Sequence, residues 1–129
     1  MKNLAYLTLL FITAVGLFAC TKKEEVACTE EFRSISVTIK DESGQPVIGA
    51  TTFTIRLTTN DTFRLGLAPG EPGNYTVLTD NEIDQVSRQG ESYKFFARKG
   101  AKYVAGVYKV RADYCHIIYE AGPSELKLK

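Results

Sequence analysis

Asp80, Glu82 and Asp84 alternate along the chain, and Glu91 follows eleven residues after Asp80. Oxygen ligands at such intervals are what a calcium loop offers a hard cation. Two residues argue against that chemistry. Gln85 stands where the sharp turn of such a loop requires glycine, and the guanidinium of Arg88 would intrude on the cation. The stretch reads as a solvated acidic loop, with no metal and no cofactor. The single histidine, His116, follows Cys115. A histidine general base needs a nucleophile beside it, and Cys115 has a better use in a disulfide. His116 is therefore expected on the solvent face of a strand. G-x-S-x-G, H-E-x-x-H, a phosphate-cradling glycine loop and C-x-x-C are all absent. The chain is expected not to be an enzyme.

Charge segregation is the remaining chemical signal. From Lys94 to Arg111 there are six basic residues (Lys94, Arg98, Lys99, Lys102, Lys109 and Arg111) and no acidic one. Arg98-Lys99-Gly100-Ala101-Lys102 reads as a hairpin turn. If 93–98 and 103–112 pair across it, Lys94, Arg98, Lys109 and Arg111 share the outer face. Such a face suits an anionic glycan or lipid head groups. The alternative is a solvated sheet face neutralised by acidic neighbours.

The N-terminal run from Leu4 to Phe18 is apolar apart from two threonines and follows the lone charge of Lys2. A run of fifteen residues is short of the ~20 that span a bilayer, and the layout is that of an export signal. Leu17-Phe18-Ala19-Cys20 resembles the lipobox of bacterial lipoproteins, which implies cleavage before Cys20 and lipidation of that cysteine. An uncleaved anchor and an ordinary secretory signal cut elsewhere are the alternatives. Residues 1–19 are then the signal, 20–30 a lipidated N-terminus and short tether, and 31–129 one domain of ordinary size. Loss of Lys2 leaves 15 basic against 15 acidic residues, a balance that does not suggest nucleic acid. With Cys20 lipidated, Cys28 and Cys115 remain as an even pair, and an oxidising compartment favours a disulfide between them. It would close a loop of roughly 88 residues and contribute at most ~4.6 kcal/mol in the chain-entropy description. Lys22-Lys23-Glu24-Glu25 loosely resembles surface-export signals of Gram-negative lipoproteins; a plain solvated linker is the alternative.

The elements that must position these residues read as strands. Ile35, Val37 and Ile39 alternate with Ser34, Ser36, Thr38 and Lys40. Phe53, Ile55 and Leu57 alternate with Thr52, Thr54, Arg56 and Thr58, and Phe63, Leu65 and Leu67 begin a third alternation. Period two marks half-buried strands. Tyr75–Thr79, then Tyr93, Phe95 and Ala97, then Val104, Tyr108, Val110 and Ala112 add further strands. Cys115, Ile117 and Tyr119 share a face. Leu126 and Leu128, alternating with lysines, form a final edge strand. Between them lie turns at Asp41–Pro46 and Asn60-Asp61 and an exposed loop at Ala68–Asn74. Asp80 to Gln89 is the only stretch suited to a helical turn, closed by Gly90. Seven or eight short strands without a long helix call for an all-β, antiparallel sandwich. A short echo, G-x-Y-x-V-x-x-D, relates Gly73–Asp80 to Gly106–Asp113.

Val37-Thr38-Ile39-Lys40-Asp41-Glu42-Ser43-Gly44-Gln45-Pro46-Val47-Ile48-Gly49-Ala50 resembles the strand–turn–strand opening of carboxypeptidase-regulatory-like, or transthyretin-like, domains. Thr79-Asp80 and Gly106–Val110 resemble later elements of the same family, so the likeness spans 35–112. Between Asp80 and Phe95 this chain is longer than the family's usual pattern. The resemblance implies a single Greek-key β-sandwich of about seven strands, transthyretin-like or Ig-like, and implies no catalysis. The expected function is a non-enzymatic, lipid-anchored binding or accessory module on the bacterial outer membrane, at the cell surface. Its partners would be the membrane through the N-terminal lipid and an anionic glycan or another envelope protein. Two alternatives stand beside it: a subunit of an adhesive surface fibre, and an inhibitor of an extracytoplasmic enzyme with Pro69 to Gly73 as its wedge.

Overall fold

The protein is described from a computed structural model covering residues 26–129. The signal segment 1–19 and Cys20 lie outside the described residues. Eight strands follow in order: β1 (Ser34–Lys40), β2 (Thr51–Arg56), β3 (Thr62–Phe63), β4 (Asn74–Thr79), β5 (Glu91–Lys99), β6 (Lys102–Ala112), β7 (Ile117–Ala121) and β8 (Glu125–Lys127). They form two sheets, ordered β4-β1-β8 and β3-β2-β5-β6-β7. The architecture is all-β and mostly antiparallel, and its two sheets share one apolar core, an arrangement consistent with a β-sandwich.

Alternation explains the best-formed strands. Ile35, Val37 and Ile39 point inward from β1 while the residues between them stay half-exposed. Tyr93, Phe95 and Ala97 do the same from β5, and Tyr108, Val110 and Ala112 from β6, with Tyr93 directly opposite Tyr108. β5 and β6 pair over nine residue positions, closed by the two-residue turn Gly100-Ala101. Gly100 holds φ +62° at the first central position, where tight hairpin turns favour glycine.

Three strands depart from the reading of the sequence. In β2 the alternation is present but its frame is reversed: Thr52 and Thr54 face the core, and Phe53 and Ile55 face outward. The register with β5 pairs Thr54 with the inward Phe95 and Phe53 with the outward Phe96, so the frame of β5 dictates that of β2. At Thr54 the sheets come so close that its hydroxyl donates to the Val77 carbonyl of β4 at 2.8 Å, leaving no room for a phenyl ring.

The third alternation is cut short. β3 ends at Phe63, and Gly66 at φ +73° turns the chain out of the large sheet. Gly66 and Ala68 then hydrogen-bond along β4 in the small sheet, so Leu67 is exposed rather than buried. The last strand is also not antiparallel: β8 runs parallel to β1. The chain leaves β7 in one sheet and crosses through Gly122-Pro123 to the other, arriving in the direction of β1. That crossing is tight. A Cβ on Gly122, whose φ is +147°, would lie 2.5 Å from a ring carbon of Tyr108, and the Tyr108 hydroxyl donates to the Pro123 carbonyl at 2.8 Å.

Candidate functional site

The outer face of the large sheet gathers the basic residues. Opposite Lys94 on β5 stands Val107 of β6, and opposite Arg98 stands Tyr103. The pleat therefore puts Lys94 and Arg98 on the same side as Lys109 and Arg111. Lys99 and Lys102 flank the hairpin turn, and Lys102 reaches Glu42 at 3.0 Å. Glu120, on β7, lies 3.6 Å from Lys109 and 3.4 Å from Arg111. One end of the face is thus partly neutralised, while Lys94 and Arg98 have no carboxylate within ion-pair distance among the described residues.

The reversed frame of β2 adds aromatic surface to this face. Phe53 and Phe96 are cross-strand partners and stack at 5.0 Å between ring centroids, 17° apart in plane. The ammonium of Lys94 sits 4.9 Å over Phe96, and the guanidinium of Arg64 sits 5.5 Å over Phe53. Ile55 lies beside Lys94, and the exposed Val107 and Tyr103 border the rings. Phe53 and Arg64 were invisible as surface residues in the sequence, because alternation marks two faces without saying which is inside. The signal that existed was the pair of aromatic neighbours Phe95-Phe96, which cannot both point inward from one strand.

A second cluster forms where the N-terminal segment meets the domain. Cys28 and Cys115 form a disulfide. Next to it, His116 is buried rather than solvent-facing, and it precedes β7 rather than lying within it. Its Nδ1 lies 2.8 Å from Asp80 Oδ2, and its Nε2 lies 3.0 Å from the Thr29 hydroxyl. A carboxylate can only accept, so the ring proton belongs on Nδ1, and a neutral ring accepts from Thr29. Asp80 also accepts from the Arg33 and Ile117 main-chain N–H groups, each at 2.7 Å. Burial pushes the Asp80 carboxyl up, but these three hydrogen bonds outweigh it and hold the group below its usual value.

The order hydroxyl, imidazole, carboxylate is that of an acyl-transfer relay. Its setting is that of a fastening. Thr29 neighbours one disulfide cysteine and His116 the other, and the Asp80 oxygens are filled by main-chain donors, so the cluster straps residues 28–33 onto the end of the domain. Asp113 completes it by accepting from the Cys115 and His116 N–H groups at 2.7 Å.

The four carboxylates spaced like calcium ligands do not converge. Asp80 belongs to the strap. Glu82 forms a capping box with Thr79 at the start of the 3-10 helix Asp80–Gln85. Glu91 is buried and turned toward Arg56, which donates at 2.8 Å; it also accepts from Thr58, the Ser87 N–H and Tyr93. Burial pushes Glu91 up, yet these four donors hold it at about 2. Arg88 lies over the ring of Tyr114 at 3.8 Å. Among the described residues no cluster of His, Cys, Asp and Glu is placed to hold a metal ion, and no helix is long and apolar enough to cross a membrane.

Comparison of the chain with protein-family models, with curated proteins and with solved structures finds no match.

Proposed function

We propose that the chain is a non-enzymatic binding module held at the cell surface by a lipid on Cys20, with a transthyretin-like, Greek-key sandwich as its body. The observation that carries the binding role is the outer face of the large sheet, where Lys94, Arg98, Lys109 and Arg111 stand on one side of two adjacent strands. The partner is an anionic component of the envelope. The export-signal layout of residues 1–19 supports a location outside the cytoplasm, and the Cys28–Cys115 disulfide suits that oxidising setting. The strap at residues 28–33 would hold the domain close to its anchor. Two experiments test the reading. Cys20→Ala should release the protein from membranes, and continued retention would refute the lipid anchor. Replacing Lys94, Arg98, Lys109 and Arg111 with Ser should abolish binding to anionic envelope material, and unchanged binding would refute the basic face.

A second reading, as a fibre subunit, rests on one feature. β8 covers β1 only from Thr38 to Lys40. The side of Ser34–Ser36 facing β8 has no strand partner among the described residues. A groove of about 280 Å³ lined by Ser34, Ile35, Ser36, Tyr119, Pro123 and Ser124 lies there. A strand from a second copy would fit such an edge by strand addition. Concentration-dependent polymerisation of the purified protein would favour this reading, and a monomer at high concentration would remove it.

A further inference from the structure

We infer that the outer face of the large sheet binds an acidic polysaccharide, with the stacked Phe53 and Phe96 rings as a platform for sugar rings and with Arg64, Lys94 and Arg98 as partners for their acidic groups. This deepens the binding-module reading and rests on it.

Three observations lead there. First, Phe53 and Phe96 are left half-buried on this face, beside the exposed Tyr103 and Val107. β2 turns two threonines inward and Phe53 and Ile55 outward. The informative departures in a fold are a buried polar group and an exposed apolar patch. The stack contributes some sheet stability, about 0.2–1 kcal/mol for a cross-strand pair, which is less than the ~1.5–3 kcal/mol that burying such a side chain would supply.

Second, charge on the face is one-sided around the rings. Lys94 and Arg64 lie over them, and Arg98 stands one pleat further along β5, whereas Glu120 sits with Lys109 and Arg111 at the far end. The complement is therefore an anion that reaches the aromatic end of the face.

Third, the surface is a broad face of three adjacent strands, β2, β5 and β6. It suits an extended polymer lying across β2, β5 and β6. Among polyanions, an acidic polysaccharide matches both features at once. The C–H faces of its rings can lie against the outer edge of the Phe53–Phe96 stack and the exposed Tyr103 and Val107, while carboxylate or sulfate groups meet Arg64 and Lys94, which cover the ring faces. An acidic polypeptide offers the charges without a flat apolar ring.

The test is affinity electrophoresis of the purified mature protein through gels containing polygalacturonate, neutral dextran or poly-L-glutamate. Polygalacturonate should retard the protein, dextran should not, and poly-L-glutamate should act about tenfold more weakly. Phe53→Ser with Phe96→Ser should weaken polygalacturonate binding about tenfold, whereas Lys109→Gln with Arg111→Gln should change it less than about threefold, because Glu120 already engages those cations. If the phenylalanine double variant does not fold, Phe53→Leu with Phe96→Leu carries the same test, since leucine keeps the apolar bulk and removes the rings.

Equal retardation by poly-L-glutamate would overturn the polysaccharide assignment and leave the basic face standing. Sensitivity to the cations with none to the phenylalanines would overturn the platform alone. No retardation by either polyanion would overturn the inference together with the binding face beneath it.

Discussion

The Asp80 carboxylate holds the imidazole of His116 at 2.8 Å across 36 residues of chain. The same carboxylate accepts from the Arg33 and Ile117 N–H groups, so one side chain joins the start of β1, the end of β4 and the start of β7. The echoed Asp113 grips the neighbouring Cys115 and His116 N–H groups. The two aspartates of the G-x-Y-x-V-x-x-D echo thus converge on one three-residue segment. The two tyrosines of the echo also act alike: Tyr75 bonds Val47 and Ala50, and Tyr108 bonds Pro123.

Removing this grip should loosen the strap. Asp80→Asn is expected to cost about 3 kcal/mol, because a nearly buried acceptor of three hydrogen bonds becomes a poorer one. Urea unfolding of the variant against the parent measures it. The Asp80 carboxyl is held below its usual value, so its contribution is complete above that value and fades as pH falls through the folded one. The variant should therefore lose less stability on acidification than the parent.

Glu91 gives the sharper pH signature. Its carboxyl is held at about 2 against an ordinary 4.5, and its side chain is 6% exposed. A depressed carboxylate stabilises above the unfolded value and loses that effect as pH drops. The window lies between 4.5 and about 2, and the amount is on the order of 3 kcal/mol. Glu91→Gln should lower stability at neutral pH by roughly that amount and flatten the slope of unfolding free energy through that window. An unchanged slope would mean that the Arg56 pair does not hold the charge.

The crossing from β7 to β8 depends on Gly122 and Tyr108. Gly122→Ala sets a methyl against the Tyr108 ring and keeps a left-handed φ, so a loss of about 3 kcal/mol is expected. Tyr108→Phe removes only the bond to the Pro123 carbonyl and should cost about 1–2 kcal/mol. Thermal unfolding of the two variants should rank them in that order.

The frame of β2 predicts an inversion of ordinary intuition. Thr54→Val should destabilise by about 1–2 kcal/mol, because the Val77 carbonyl loses its donor in the core. Phe53→Thr should cost about 1 kcal/mol or less, because that half-buried ring lies on the outer face, against Phe96 and Arg64. If the phenylalanine variant were the more damaging, Phe53 would lie inside and the aromatic platform would not exist.

Cysteine parity named the disulfide pair, and period-two runs marked β1, β5 and β6 with the turn between the last two. Those features are local, since a strand's alternation and a glycine's turn preference are written within a few neighbouring residues. The basic side of the hairpin followed from the same alternation once the two strands were paired. What alternation leaves open is which of two faces is inside. In β2 that choice came from register against β5 and from the close approach of Val77, and it moved Phe53 onto the surface beside Phe96. Similarly, the burial of His116 depends on Asp80 and Thr29, 36 and 87 residues away, and the parallel course of β8 on a crossing beneath Tyr108. These are contacts between elements far apart in the chain, set by how two sheets close over one core, and no local pattern of residue types encodes them.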